Sequence, residues 1–524
     1  MSADRPRLLR EVAASPAFAA LADVELPPAS ALTLPETVVQ FGTGAFLRGF
    51  ADYFIDEANR RGEFLGSIVA VSSTGSARDT VLNEQEGLFT LAIQGIEGGA
   101  PRRRFRVISA VNRALSADDA WDSVLELARD PGIRLVISNT TEVGIALDET
   151  DSFDHHPPRS FPGKLARFLY ERAAHFDFAI ERGVIVLPCE LIEANGTTLR
   201  DIIRELARRW KLSERFVTWL AEAVDFRNTL VDRIVPGALP RDEAERIERL
   251  AGYRDGMITA CEPYALFAIE GDDALRARLG FADDPRIVVT PDIRPYRERK
   301  VRVLNGGHTI SVAVALLAGL ETVREATEDA LVGQFLRRAI FDEIVPSLDV
   351  PDAESFARDV VQRFANPYIR HSLIDITLHA TTKMRVRVVP SIVQYIERFG
   401  RPPEALAFGF AAYLAFMRGE IQVERRAAGL SMPEDREGDR IRVAWAPAEI
   451  GSESALRDFV RSVCGDAELW GGGTDLSKLR GWCELVSDNL LRIVDSGMRP
   501  ALEQHLGVSL RRSRSSRASI VHLT

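Results

Sequence analysis

The 524-residue sequence predicts an α/β protein with an N-terminal Rossmann-like dinucleotide-binding domain and a C-terminal, mostly α-helical domain. In the first part, short apolar or β-branched runs alternate with helical patterns, which is typical of βαβ units in a parallel sheet. These runs are residues 37–41, 67–71, 133–137 and 183–187. From residue 300 onward, apolar residues recur with the helical period and few strand candidates remain.

The composition is that of an ordinary globular protein, because 46% of the residues are hydrophobic and 27% are charged. A chain of this length needs more than one core. A formal net charge of −10 argues against binding to nucleic acid or to an anionic membrane, and no apolar run is long enough to predict a membrane helix. The four cysteines show neither a CxxC pair nor a zinc spacing. We therefore expect no metal site and a reducing, cytoplasmic location.

The segment Val288–Tyr296 contains two prolines and marks the predicted domain junction. We assign residues 1–290 to the dinucleotide-binding domain with its lead-in segment and residues 291–505 to the helical substrate domain. Residues 506–524 form a basic, serine-rich tail, and this composition predicts disorder.

The first predicted strand runs into Gly42-Thr43-Gly44, and a helical pattern follows. In dinucleotide-binding folds, the first glycine allows the tight turn and the second lets the backbone approach the pyrophosphate. Leu47 replaces the usual third glycine, so a plain tight turn is the alternative interpretation. Arg48 would add positive charge near the phosphates, or it is a surface arginine. The predicted cofactor loop comprises Phe41, Gly42, Thr43, Gly44, Ala45, Phe46, Leu47 and Arg48.

Polar residues also follow two later strands, at the edge where open α/β sheets bind ligands. Ser72 stands where an NAD site usually has an acidic residue for the ribose hydroxyls, and Arg78 follows soon after. A hydroxyl and a nearby arginine in place of that acid weaken strict selectivity for NAD and leave NADP open as the cofactor. Asn139 and Glu142 follow the strand at 133–137 and are further candidates for cofactor binding. Glu142 is interpreted either as a proton relay or as part of an N-capping cluster.

The run Lys300-x4-Asn305-x2-His308 places an amine, an amide and an imidazole on one broad helix face, since each residue turns about 100°. Such a set suits carbonyl chemistry. The lysine exchanges a proton with the reacting oxygen, the asparagine N–H holds that oxygen, and the histidine orients its surroundings. Gly306 and Gly307, each about 1 kcal/mol unfavourable in a helix, indicate a close approach to the backbone. The alternative is a solvated helix start with a chance polar triplet.

Together these runs resemble the mannitol dehydrogenase family, also called the polyol-specific long-chain dehydrogenases/reductases. The matched family elements are GxGxFxR at 42–48, T-E-x-G at 141–144, V-D-R-I at 231–234 and K-x4-N-x2-H at 300–308. The resemblance implies a metal-independent, NAD-dependent dehydrogenase/reductase acting on a CH–OH group. Further sequence similarity at residues 188–192, 366–371 and 382–383 implies membership of one branch of this family. That branch interconverts the ketouronate D-tagaturonate and the aldonate D-altronate in hexuronate catabolism.

The resemblance also implies residues that bind the small-molecule substrate. Leu191 occupies the position of an asparagine that holds the reacting oxygen in the polyol branch. Asn305 would therefore act with Asn195 or with a water molecule.

The remaining polar groups of the substrate need partners of their own. Asp232 would accept hydrogen bonds from sugar hydroxyls, with a structural pair to Arg233 as the alternative. A carboxylate requires a cation, and Arg370 and Lys383 are the candidates, each with plain surface charge as its alternative.

Three other assignments stay open on the sequence. Branches that act on fructuronate or on mannitol are alternatives within the enzymes. A non-catalytic nucleotide-binding protein that kept the fold is the alternative of another class. The intact set of Lys300, Asn305 and His308 argues against the last of these.

Overall fold

The structure is a computed structural model that describes residues 5–15, 24–73, 77–140, 144–428, 430–445 and 452–507. The chain divides into two compact units between Arg297 and Glu298. The predicted junction lies slightly earlier, between β14 (Ile287–Thr290) and α11 (Arg294–Arg299), and the division falls within that helix. Most of the predicted tail and Glu142 lie outside the described residues.

The first unit mixes strands and helices along the chain. Its strands are β1 (Val24–Glu25), β2 (Glu36–Phe41), β3 (Ser67–Ser72), β4 (Phe89–Glu97), β5 (Ala100–Ile108), β6 (Val111–Ser116), β7 (Leu135–Ser138), β8 (Ile185–Pro188), β9 (Asp225–Phe226), β10 (Thr229–Asp232), β11 (Gly237–Ala238), β12 (Thr259–Cys261), β13 (Leu266–Glu270) and β14. Its α-helices are α1 (Arg10–Ala13), α2 (Ala45–Gly49), α3 (Ala51–Arg61), α4 (Ala77–Glu84), α5 (Trp121–Ala128), α6 (Phe161–His175), α7 (Asn195–Arg209), α8 (Glu214–Glu222), α9 (Arg241–Ala251) and α10 (Asp273–Leu279).

The central sheet of this unit has the predicted Rossmann-like topology. The strand order is β6-β3-β2-β7-β8-β9, and every neighbouring pair is parallel. Numbered by appearance within the sheet, the order is 3-2-1-4-5-6, which is that of dinucleotide-binding folds. The carboxyl ends of β2, β3 and β7 therefore lie side by side, and the candidate cofactor residues follow these ends.

Both faces of the central sheet are buried, as expected for a parallel sheet covered by helices. Val38 and Ala70 pack into one apolar cluster, whereas the adjacent Val39 and Val69 pack into another. The period-two alternation of β-branched side chains thus fills a core on each side of the sheet.

Two smaller sheets complete the first unit, with orders β1-β5-β4-β12-β11 and β10-β13-β14. Strands β4 and β5 form an antiparallel hairpin closed by Gly98 and Gly99, whose φ angles are 60° and 78°. A two-residue turn with positive φ at both positions matches the twist of the strands, and glycine adopts it without steric penalty. This hairpin was not predicted from the sequence.

The second unit is helical, as predicted. A π-helical turn (Lys300–Asn305) leads into α12 (Gly306–Leu317), and a second π-helical segment covers Arg338–Ile344. The other α-helices are α13 (Val323–Glu328), α14 (Val332–Arg337), α15 (Val345–Ser347), α16 (Ala353–Phe364), α17 (Leu373–Ile376), α18 (Ala380–Arg387), α19 (Val389–Phe399), α20 (Glu404–Met417), α21 (Glu420–Ala427), α22 (Asp439–Trp445), α23 (Glu453–Cys464), α24 (Ala467–Trp470), α25 (Trp482–Ser496) and α26 (Met498–Leu506).

Helix α20 forms the centre of this unit, because its apolar side chains are buried almost all round. It packs against α12 and α25. A Cβ atom on Gly409 would lie 2.6 Å from Ile310 Cγ1, so the glycine allows α20 and α12 to approach closely. The N-terminus of α20 is capped by the buried carboxylate of Glu343, which accepts hydrogen bonds of 2.7 Å from the N–H groups of Ala405 and Leu406.

Candidate active site

The loop between β2 and α2 contains two glycines, and the structure gives a different reason for a glycine at each position. Gly42 has φ +127°, and a Cβ atom there would lie 2.9 Å from the carbonyl oxygen of Asn139. Gly44 has an ordinary φ of −69° and immediately precedes α2, yet a Cβ atom there would meet no atom within 4 Å. The fold therefore requires the first glycine, whereas the second leaves open space beside the backbone.

A cavity of about 750 Å³ lies at the carboxyl edge of the central sheet, within the size range of small-molecule sites. It is lined by Gly42, Thr43, Gly44, Ser72, Ser73, Arg78, Asn139, Thr140, Gly144, Ala146, Leu147, Asp148, Glu149, Ser160 and Phe161. The open space beside Gly44 and the reversal of strand order between β2 and β7 fit a dinucleotide, because this is where its pyrophosphate approaches the backbone.

The predicted cofactor residues separate into two groups. Gly42, Thr43, Gly44, Ser72 and Asn139 line the cavity, whereas the other members of the predicted loop do not belong to its lining. Phe41 and Leu47 are buried in the two apolar clusters, Phe46 stacks on Phe50 with a centroid distance of 5.1 Å, and Ala45 lies in α2 between them.

Arg48 is buried rather than on the surface, and it does not belong to the cavity lining. Its guanidinium donates to Thr43 O at 2.6 Å and to Thr259 Oγ1 at 3.0 Å. It also faces Asp52, a fully buried carboxyl whose pKa burial raises to about 7, while the charge of Arg48 lowers it. Arg48 thus supports the loop from behind, through its contacts to Thr43 and Thr259.

A buried carboxylate that was not predicted from the sequence lies beside the end of β3. Ser72 Oγ donates to Asp79 Oδ2 at 2.5 Å, and both side chains are buried. Asp79 belongs to α4 rather than to the strand, so the usual strand-end position does not reveal it. Arg78, its neighbour, lines the cavity and is exposed.

Glu190 organises the end of β7, where Asn139 enters the cavity. Its carboxylate accepts from Thr140 N at 2.9 Å and from Ser138 Oγ at 3.0 Å, and burial raises its pKa. Asn139 in turn donates from its side chain to Cys189 O at 2.7 Å. Glu190 directly precedes the exposed Leu191, and its role at the end of β7 was not predicted from the sequence.

The predicted substrate contact of Asn195 is not supported by the structure. The side chain is fully buried, and its amide N–H groups lie within 3.3 Å of oxygens of Pro188, Glu190 and Thr229. Its oxygen accepts from Gly196 N and from Thr229 N at 2.9 Å each. Asn195 therefore links β8, α7 and β10, and its hydrogen-bonding groups are engaged within the fold.

The V-D-R-I element supports the fold around β10. Arg233 donates to the carbonyl oxygens of Glu262 at 2.9 Å and Gly49 at 2.8 Å, and its guanidinium lies over the ring of Tyr53. Asp232 is a buried residue at the end of β10. Its predicted contact with sugar hydroxyls stays a prediction.

In the second unit, Lys300 and Asn305 belong to a π-helical turn rather than to the regular α-helix that the sequence analysis assumed. Gly306 N–H donates to Val301 O, five residues earlier. Because π-helical hydrogen bonds join residues five apart, Lys300 and Asn305 lie on the same side of the helix, closer than the α-helical angles predict. Both side chains are partly exposed.

Gly306 and Gly307 allow neighbouring segments of the same unit to approach the backbone closely. A Cβ atom on Gly306 would lie 3.1 Å from the carbonyl oxygen of Arg387, and one on Gly307 would lie 3.0 Å from Ile340 Cδ1. The close approach that the sequence predicted is therefore made by the protein itself.

His308 is buried in a cationic environment. Its ring lies 3.9 Å from that of Phe364 and 5.0 Å from that of His371, measured between centroids. Burial first, and then His371, Arg363, Arg387 and Lys383, hold the pKa of His308 well below its usual value. At neutral pH the imidazole is therefore uncharged.

The two cations that the sequence proposed for the carboxylate differ in their surroundings. Lys383 lies near His308 and donates from Nζ to Ile376 O at 2.9 Å. Arg370 is 82% exposed, and its guanidinium is 3.6 Å from the similarly exposed Glu321. Arg370 therefore lacks the enclosed environment that its prediction assumed.

Within the described ranges, no helix is both long and apolar enough to span a bilayer. In the same part of the chain, no group of three or more His, Cys, Asp or Glu side chains is arranged to hold a metal ion.

The sheet order and the glycine loop beside the cavity define a Rossmann-type dinucleotide-binding protein. A family model described as the mannitol dehydrogenase Rossmann domain matches residues 36–281, and one described as the mannitol dehydrogenase C-terminal domain matches residues 292–449. The chain belongs to the mannitol dehydrogenase family and is an oxidoreductase that uses a nicotinamide dinucleotide.

Curated relatives cover nearly the whole chain. An altronate oxidoreductase of Pectobacterium carotovorum subsp. carotovorum (strain PC1) is 42% identical over 475 residues, which are 90% of this chain and 96% of the relative. An altronate oxidoreductase of Yersinia pestis is 40% identical over 473 residues, with 89% and 96% covered.

Two solved structures share the fold. Pseudomonas fluorescens mannitol 2-dehydrogenase, in a ternary complex with NAD and D-mannitol, has a TM-score of 0.66 at 22% identity, covering 93% of this chain and 97% of its own. A D-sorbitol dehydrogenase in substrate-free form has a TM-score of 0.71 at 22% identity, covering 92% and 98%.

Proposed function

We propose that this protein interconverts D-tagaturonate and D-altronate by hydride transfer with a nicotinamide dinucleotide. The observation that carries the proposal is the grouping of Lys300 and Asn305 on one side of a π-helical turn, in a unit that gathers cations around the nearby His308. The first pair suits a carbonyl or alcohol oxygen, and the cations suit a carboxylate. Relatives at 40–42% identity named altronate oxidoreductases support the same substrate.

Each polar group has a role in the proposed reaction. The bound nicotinamide supplies or accepts the hydride. Lys300 gives a proton to the keto oxygen during reduction and, as a neutral amine, takes the hydroxyl proton during oxidation. Asn305 donates from its amide to that oxygen, and such a donor contributes about 3 kcal/mol to transition-state stabilisation in known cases. His308, uncharged in its buried site, holds a substrate hydroxyl or orients Lys300.

We propose NAD as the preferred cofactor. Gly42, Gly44 and the N-terminus of α2 would hold the pyrophosphate. Ser72 donates to Asp79, which leaves the serine oxygen oriented to accept from a ribose hydroxyl. The negative charge of Asp79 would also repel a 2′-phosphate, as an acidic residue does in other NAD sites.

We also propose that the protein works in a reducing environment and requires no metal ion. All four cysteines are buried free thiols, which supports a cytoplasmic location. Activity should persist in a chelating buffer, because the proton transfers above require only side chains.

The test is a substrate panel followed by the absorbance of NADH and NADPH. Wild-type protein is assayed with D-tagaturonate, D-fructuronate and D-fructose, and the reverse reaction with D-altronate. We expect the highest kcat/KM with D-tagaturonate and NADH. A preference for D-fructuronate or D-fructose would replace the substrate assignment by another branch of the family. NADH binding without turnover of any ketouronate or ketose would favour a non-catalytic nucleotide-binding protein.

A further inference from the structure

The substrate of the proposed function carries a carboxylate that must be bound by a chain with a net charge of −10. Local cations are therefore needed against an unfavourable background. The second unit supplies them around His308, where the charges of Arg363, Lys383 and Arg387 all lower the pKa of the imidazole. These cations do not occupy equivalent positions, and the differences single out one of them.

Arg387 ends α18 beside the π-helical turn. Its carbonyl oxygen packs closely against Gly306, because a Cβ atom on that glycine would lie only 3.1 Å from it. Its Nη1 lies 3.5 Å from Thr309 Oγ1, and that hydroxyl donates to Asn305 O at 2.8 Å. Both the backbone and the guanidinium of Arg387 are thus tied to the segment that carries Asn305.

The neighbouring cations are less suited than Arg387 to bind the substrate carboxylate. Arg363 is only 7% exposed and precedes Phe364, whose ring packs on His308. Lys383 lies one helical turn before Arg387 but offers a point charge rather than a fork of N–H donors. Arg370, with its exposed contact to Glu321, is the competing candidate from the sequence.

We propose that Arg387 binds the substrate carboxylate and thereby makes this enzyme specific for a uronate over a neutral sugar, an inference that rests on the proposed function. The planar guanidinium presents parallel N–H donors that match the two oxygens of a carboxylate. Lys383, four residues earlier on the same side of α18, adds positive potential. Asn305 at the reacting oxygen and Arg387 at the carboxylate then fix the two ends of the substrate.

The experiment compares Arg387→Met and Arg387→Lys with two matched variants. Arg370→Met tests the competing anchor. Arg385→Met removes a charge from the same helix, where Arg385 is 2.9 Å from Glu437. NADH affinity and the melting temperature of each variant establish that the fold is intact.

We expect Arg387→Met to lower kcat/KM for D-tagaturonate on the order of 10²-fold, because removing one partner of a desolvated charge pair weakens the contact strongly. Arg387→Lys should recover part of the loss, since it keeps the charge but not the fork. Arg370→Met and Arg385→Met should remain close to wild type.

A binding measurement separates the anchor from general damage. Calorimetric titration of the NADH-bound protein uses D-altronate and its neutral counterpart D-altritol. Wild type should prefer the aldonate, and Arg387→Met should lose that preference with little change for the alditol. Equal losses for both ligands, or a loss that follows Arg370→Met instead, would overturn the assignment of Arg387.

The proposed function can fail separately from the anchor. If wild type neither reduces D-tagaturonate nor binds D-altronate, the substrate assignment is wrong and Arg387 falls with it. If wild type does both and Arg387→Met behaves like Arg385→Met, only the anchor is wrong.

Discussion

The two glycines of the cofactor loop provide a matched pair of substitutions with opposite expected effects. In Gly44→Ala the new methyl group meets no atom within 4 Å, and the backbone has an ordinary φ of −69°. The free protein should therefore be unaffected or slightly stabilised, by up to about 1 kcal/mol, since alanine restricts the unfolded chain. The same methyl group would stand where the pyrophosphate approaches, so NADH affinity should fall at least tenfold, or about 1.4 kcal/mol.

Gly42→Ala should instead lower the stability of the cofactor-free protein. Its φ of +127° is strained for alanine, and the Cβ atom would lie 2.9 Å from Asn139 O and 3.0 Å from Leu47 Cδ1. Backbone strain of this kind costs on the order of 1–3 kcal/mol. We expect a lower melting temperature without cofactor, whatever happens to binding.

The assays are differential scanning calorimetry of the cofactor-free proteins and fluorescence titration with NADH. The reasoning is refuted if Gly44→Ala binds NADH as tightly as wild type while retaining its stability. The loop would then be only a turn, as the alternative interpretation of the sequence held.

Three further predictions test other parts of the structure. Lys300→Ala should lower kcat by about 10²–10⁴-fold with NADH affinity retained, because the lysine transfers a proton; a variant with near wild-type kcat would remove it from the mechanism. Asp79→Asn should lower the NADH/NADPH ratio of kcat/KM by about tenfold, or roughly 1.4 kcal/mol, through loss of a negative charge, and an unchanged ratio would discard Asp79 as the determinant. Burial raises the pKa of Glu343 to about 7 in the folded protein. The native state therefore retains a proton that the unfolded chain releases, and the free energy of unfolding should decline as pH rises from about 4.5 to 7. Glu343→Gln should lack that part of the decline in urea unfolding at pH 5 and pH 8; parallel pH profiles for the two proteins would contradict the assignment.

The main elements of the fold follow from local sequence patterns. The four predicted strand runs are β-branched or apolar on both faces, and they became β2, β3, β7 and β8 of one parallel sheet. The hairpin at 89–108 was missed although the Gly98-Gly99 turn is a local signal for it. The pairing of β4 with β12 joins segments distant in sequence and leaves no such local signal.

The candidate site was predictable where residues follow strand ends or share a short segment. Ser72 and Asn139 line the cavity because the carboxyl ends of β3 and β7 meet there. Asn195 looked available because an asparagine in a polar run does not reveal its partners, and in the fold those partners are carbonyl oxygens of β8 and β10. Arg387 left one signal, its spacing of four residues from Lys383, which marks a shared helix face.

The π-helical turn at Lys300–Asn305 also links the spacing of these two residues to the helix geometry. A wide turn holds one residue more than an α-helical turn between the same flanking helices. Deleting a residue between Lys300 and Asn305 would let the backbone relax to α-helix and leave the flanking helices in place. The lysine and the asparagine would then be four residues apart, about 40° around the helix, and would stay on the same side. With the present spacing a regular α-helix would instead separate them by about 140°, so the four intervening residues require the π-helical turn.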